Sequence, residues 1–106
     1  MLAKSYRLPI QLFYKKTGKV FRSRNFLLKI FVPETDHSRL GVVISRKVSP
    51  KAVERNRLKR IVFNVFREKI GTLPTKDYLV ILSPNASRLD KPEFIKEFSK
   101  ILTPNT

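Results

Sequence analysis

The stretch from Ser49 to Gly71 constrains this chain more than any other, because it has the length and periodicity of one long amphipathic helix. Ser49 is an N-cap type, Pro50 suits the first helical position, and Gly71 is a stop after Ile70, which gives an element of about 21 residues. At about 100° per residue, Leu58, Ile61, Val62 and Val65 fall on one stripe, with Phe66 at its edge. Such a stripe has to be buried against a second layer, and the flanking segments supply strands. Leu40 to Ser45, nearly continuous in apolar residues, reads as a buried strand before the helix, and Asp77 to Leu82 reads as a further strand after it.

The rest of the chain fits around this unit. Ile10 to Lys16 are expected to form about two turns of helix after Pro9, with Gly18 as the stop. Val20 to Arg22 and Asn25 to Val32 read as strands separated by a polar bend at Ser23-Arg24. In the second of these, Phe26, Leu28, Ile30 and Val32 share one face, and Leu27, Lys29 and Phe31 the other. A face that is apolar with a cation in its middle is unusual for plain solvent exposure and is a candidate binding surface. Pro33 to Arg39 reads as a loop and Ser83-Pro84-Asn85 as a turn. Lys91 to Leu102 reads as a last helix with Phe94, Ile95, Phe98, Ile101 and Leu102 inward. The order is that of an α+β layer fold, and residues 1–106 make a single domain at this length.

Charge then narrows the function. Twenty-three Lys plus Arg against 8 Asp plus Glu give +15, an excess that repels itself unless a polyanion is the usual companion. Residues 1–69 hold 18 basic and 4 acidic side chains and residues 70–106 hold 5 and 4, so one surface built by the first two thirds is expected to face that polyanion. On the long helix, Asn56, Arg60 and Arg67 lie opposite the apolar stripe, flanked by Arg57 and Lys59, with Glu54 and Glu68 the only acids between Lys51 and Lys69. Guanidinium forks match phosphate oxygens, Lys adds a point charge, and Asn can pair with a base edge. Phe63 falls within this polar face, where an exposed ring would stack on an unpaired base. Arg55 lies about 60° from the stripe's centre and is expected to reach a polyanion only by extending outward along its stem.

Several classes drop out. There is no Cys and only one His, His37, which rules out a disulfide framework and a thiolate or histidine zinc site. Asp36-His37 is an isolated pair read as a solvated turn, and no clustered carboxylates are evident for a protein nuclease. No run of about 18 apolar residues occurs, and Met1 to Lys4 lead into charge rather than a signal core, so the reading is cytoplasmic with no membrane partner. Charge pattern alone leaves duplex DNA and RNA undistinguished.

Two runs, Arg39-Leu40-Gly41-Val42-Val43-Ile44-Ser45-Arg46-Lys47-Val48 and Lys51-Ala52-Val53-Glu54-Arg55-Asn56-Arg57-Leu58-Lys59-Arg60, closely resemble the bacterial ribonuclease P protein family. Weaker agreement at Arg7-Leu8, Gly18, Arg24-x-Phe26 and Lys76-Asp77-Tyr78 extends the match over most of the chain, leaving the C-terminal helix to pattern alone. The resemblance implies an αβββαβα two-layer sandwich with a left-handed β-α-β crossover, like one domain of a small-subunit ribosomal protein. The hand comes from the family, since parallel crossovers are otherwise right-handed in nearly all cases.

It also implies a subunit, non-catalytic alone, that helps a catalytic RNA remove the 5′ leader of precursor tRNA. The RNA carries out hydrolysis with magnesium, and the protein holds no cofactor stably and is by default a monomer. Catalytic-RNA docking would fall to Arg46, Lys47, Lys51, Arg55, Asn56, Arg57, Lys59, Arg60 and Arg67. The leader would bind Leu27 and Lys29 on the sheet floor, with Phe31 continuing that face and Phe13, or in competition Tyr14, as the aromatic of the first helix. Phe63 stands where the family usually has a further Arg, exchanging a phosphate contact for a stacking one. The first helix is about a turn shorter than usual, and Ser49-Pro50, with one extra residue, replaces a more usual Gly before the long helix. A ribosomal or RNA-chaperone protein and a stand-alone nuclease are the rival readings.

Overall fold

Aromatic and β-branched runs set the strands, and the two amphipathic stretches set the main helices. The computed structural model describes residues 4–13 and 15–103. In chain order it has α1 (Ile10–Phe13), β1 (Lys19–Arg22), β2 (Phe26–Phe31), β3 (Arg39–Val43), α2 (Ala52–Lys69), β4 (Asp77–Leu82) and α3 (Lys91–Leu102), with 3-10 turns at Lys4–Tyr6 and Pro84–Arg88. The strand order is β1-β2-β4-β3. β2 is antiparallel to β1 and β4, whereas β3 and β4 run parallel and are joined through α2 as a β-α-β unit. This is the expected αβββαβα succession.

Side chains alternate across the sheet, so it carries two cores. On one face Phe26, Leu28, Leu40, Val42, Tyr78, Val80 and Leu82 meet the α2 stripe and Phe94, Phe98, Ile101 and Leu102 of α3. Phe26 lies 5.1 Å from the Phe94 ring and 5.7 Å from Phe98, which docks α3 on the first residue of β2. On the other face Phe31 and Leu79 form a smaller core with Leu8 and Phe13, under α1. Gly18 makes room for it: a Cβ there would stand 2.7 Å from the Phe31 ring and 2.8 Å from the Ile30 carbonyl oxygen.

The element ends differ from expectation for local reasons. α1 is a single turn ending at Phe13, and the Lys16 N–H donates to the Phe13 carbonyl at 3.1 Å. α2 starts at Ala52 with an extended Lys51 before it, two residues later than the Ser49-Pro50 cap pattern placed it. Ser49 instead accepts from the Lys51 N–H at 3.3 Å. Gly71 is not left-handed; the helix closes by bonds from the Thr72 and Leu73 N–H groups to the Lys69 carbonyl. α3 matches its expected bounds, capped by Asp90 accepting from the Glu93 N–H at 2.9 Å.

Candidate nucleic-acid interface

Because the α2 stripe is buried, its far side faces solvent. Asn56, Arg57, Arg60 and Arg67 are exposed there and Lys59 half-buried. Arg46 and Lys47 are exposed on the turn after β3, which closes by a bond from the Val48 N–H to the Ser45 carbonyl (3.1 Å) and is anchored by buried Val48. Lys51 is exposed just before α2. One acid does engage this surface: Glu54 accepts from Arg57 Nη2 at 2.8 Å and Nε at 3.3 Å. That bond holds the Glu54 carboxyl below and the Arg57 guanidinium above their ordinary pKa values. Both side chains are substantially exposed, so the tether is weak and phosphate can compete for Arg57.

Two helix residues sit otherwise than expected. Phe63 is 3% exposed and belongs to the main core, so its ring is closed to a base. α2 packs against α3 as well as β3, and the second neighbour widens its buried arc to about 60° beyond Phe66. A second amphipathic helix in the chain was the available signal. Arg55 is half-buried and turns back rather than outward, donating from Nη1 to the Ser49 carbonyl at 2.8 Å. It thereby ties the first turn of α2 to the loop that presents Arg46 and Lys47.

The second surface is the sheet face opposite α2. Register sets Arg22, Leu27, Ile81 and Val43 side by side, then Val20, Lys29, Leu79 and Gly41, then Phe31, Asp77 and Arg39. Leu8 and α1 cover the last row and part of the second. Leu27 and Lys29 stay half-buried, Val20 and Arg22 exposed, and the uncovered floor is thus apolar with two cations. Phe13 and Phe31 are not open walls, being 2% and 3% exposed and packed edge to face at 5.2 Å. A short α1 brings Phe13 straight down onto the sheet instead of along a cleft. Tyr14 lies outside the described residues.

An ionic chain missed in the sequence runs along the covered row. Asp77 is fully buried and accepts from Arg39 Nε at 3.0 Å and Nη2 at 2.8 Å. The Asp77 bond keeps the Arg39 guanidinium pKa above its ordinary value. Nη2 also donates to Glu34 at 3.2 Å, and the other Glu34 oxygen accepts from Lys16 Nζ at 3.3 Å. Lys16 Nζ stands 4.5 Å and Arg39 Cζ 5.5 Å from the Phe13 ring centroid. An acid opening an otherwise apolar strand was the readable sign.

Asp36-His37 is more than a solvated turn. His37 Nε2 lies 2.7 Å from the Ser5 carbonyl, Nδ1 lies 2.9 Å from Asp36, and the ring sits 4.6 Å from Tyr6. Both partners are acceptors, so only the imidazolium satisfies both. The Ser5 carbonyl first, then Asp36, raise the His37 pKa above 6.5, against burial and Arg39. The tie to the N-terminal segment is therefore complete below about pH 6.5 and lost as pH rises through the raised value. An NMR titration of the single imidazole is expected to show a midpoint above 6.5 that falls, with Asp36 still in place, in a chain truncated past Ser5; an unshifted midpoint in the full chain refutes the tie.

No helix among the described residues is long and apolar enough to cross a membrane. A family model described as Ribonuclease P matches residues 7–105. The ribonuclease P protein components of Pseudomonas syringae pv. tomato and Pseudomonas aeruginosa PAO1 are 37% and 39% identical over 89 residues, 84% of this chain. Those matches span 66% and 65% of the relatives, so the chain spans just under two thirds of their length. Among solved structures, the Staphylococcus aureus RNase P protein superposes with a TM-score of 0.86 at 29% identity, covering 95% of each chain. The Thermotoga maritima RNase P protein gives 0.80 at 31% identity, covering 94% of this chain and 97% of that one.

Proposed function

The chain belongs to the bacterial ribonuclease P protein family, and from that premise we propose that it is the protein subunit of a ribonuclease P, assisting removal of the 5′ leader from precursor tRNA. The observation that carries this reading is the separation of two cationic surfaces by the sheet. The outer face of α2, with the Arg46-Lys47 turn, offers guanidinium forks and lysines to a folded RNA backbone. The uncovered floor of Val20, Leu27, Lys29 and Arg22 offers apolar surface to unpaired bases and cations to their phosphates. One chain can then hold a catalytic RNA and a single-stranded leader at once.

Hydrolysis is assigned to the RNA, with magnesium bound by RNA phosphates. Among the described residues no three His, Asp or Glu side chains gather as a metal site, so no step is routed through a metal on the protein. Its contribution is electrostatic: it neutralises phosphates that would otherwise need metal ions, and it positions the leader.

Reconstitution tests this. Purified protein added to a bacterial catalytic RNA and precursor tRNA at low magnesium is expected to raise the rate of leader removal and to favour precursor over mature tRNA. No improvement refutes the proposal. Improvement without preference for precursor would indicate a chaperone, and cleavage by protein alone a nuclease.

A further inference from the structure

Glu34 sits where an anion is wanted and supplies it from within the chain. Its two carboxylate oxygens take one bond each from Lys16 Nζ and Arg39 Nη2, at 3.3 and 3.2 Å. Two cations bridged by two oxygens of one anion is also how a phosphate diester would be held, through its two non-bridging oxygens. Arg39 is fixed independently of Glu34 by its two bonds to buried Asp77, and Lys16 Nζ and Arg39 Cζ also lie 4.5 and 5.5 Å from the Phe13 ring centroid, so both cations are drawn to one ring. Removing the carboxylate would leave a formed two-cation site. Among the described residues Glu34 has only these two partners, and its side chain is 55% exposed, so an incoming anion can displace it.

The position selects the ligand. Phe31, whose ring centroid is 5.9 Å from Lys16 Nζ, lies two residues along β2 from Lys29, a step of about 7 Å. The pair therefore prolongs the apolar-and-cationic floor of the sheet rather than the α2 surface. We propose that Lys16 and Arg39 form a phosphate subsite for single-stranded RNA, kept shut in the free protein by Glu34 standing in for the phosphate. This rests on the reading of the sheet face as the leader surface. Glu34 then acts as a filter: stray anions must compete with it, while a strand already lying on Lys29 and Leu27 presents its next phosphate at high effective concentration.

Binding of the full chain to a 5′-labelled single-stranded oligoribonucleotide, followed by anisotropy across salt concentrations, decides the matter. Glu34→Gln keeps the shape and removes the charge, and is expected to tighten binding about 3–10-fold and to steepen the salt dependence by roughly one phosphate, about 0.7 in the log–log slope. Glu93→Gln, the same charge change at an exposed site on α3, is expected to change affinity less than about twofold. In a Lys16→Gln background the Glu34→Gln gain is expected to vanish. The proposal is overturned if Glu34→Gln gains no more than Glu93→Gln, or if its gain survives Lys16→Gln. An equal gain on a fully paired hairpin also overturns it, by moving the phosphate to structured RNA. In each of those cases wild-type stimulation of the catalytic RNA still stands, whereas loss of that stimulation is failure of the functional reading itself.

Discussion

Arg39→Ala is expected to cost about 3–5 kcal/mol of folding free energy, because it strands the Asp77 carboxylate in the sheet without its bidentate partner. Against a total of roughly 5–15 kcal/mol for a domain of this class, that is a large share. Urea unfolding followed by circular dichroism measures it, and the thermal midpoint is expected to fall by more than about 10 °C. Lys16→Ala, which breaks an exposed pair at the far end of the same ionic chain and a surface contact with the Phe13 ring, is expected to cost only about 1 kcal/mol. An Arg39→Met, Asp77→Leu double variant is expected to recover much of the loss, since removing both charges leaves nothing unpaired. A loss below about 1 kcal/mol for Arg39→Ala would show that Asp77 finds water or another partner and that Arg39 is not what keeps it satisfied in the sheet. Function follows from the same contact, because Arg39 and Asp77 lie under α1, which bounds the open sheet face.

The second large effect concerns RNA. Replacing Arg57 and Arg60 by Ala is expected to weaken binding to the catalytic RNA about 10–100-fold near 0.15 M salt and to flatten the log–log salt slope by about 1–2. Both side chains are exposed and neither holds a core element, so unfolding free energy is expected to change by less than about 0.5 kcal/mol. Lys29→Ala is expected to do the converse, lowering leader affinity while leaving catalytic-RNA affinity within about threefold. Phe31 is unsuitable for that contrast: it is buried against Phe13, and Phe31→Ala would chiefly cost stability. Filter binding of each variant to the two RNAs separates the outcomes. Equal losses on both would mean one continuous surface rather than two.

Much of this was legible in advance where the signal is local. The α2 stripe, the alternation along Phe26 to Phe31 and the bounds of α3 are properties of ten or twenty neighbouring residues, and the structure bears them out. Helix starts were less legible: Ser49-Pro50 satisfies the cap pattern, yet the helix begins two residues later, after an extended Lys51. The aromatic readings failed for a different reason. Phe63, Phe13 and Phe31 each occupy a position whose exposure depends on what arrives from elsewhere in the chain, and in each case another element arrived.

By itself, then, the sequence determined the element order, the charged face of α2, the cation in the apolar face of β2 and the kinship, since all of these are carried by spacing and residue type along the chain. The β-α-β unit around α2 follows from the strand–helix–strand order once β3 and β4 pair. Tertiary structure alone decided which side chains spend their hydrogen bonds inside the protein. Arg39 meets Asp77 across 38 residues, Glu34 meets Lys16 across 18, and Arg55 turns back to the Ser49 carbonyl. Such partners cost chain entropy to bring together, and only the simultaneous burial of the two cores makes their meeting favourable. The long helix that constrained the fold is therefore also where the two kinds of information divide: its outward cations were readable, and the inward turn of Phe63 and Arg55 was not.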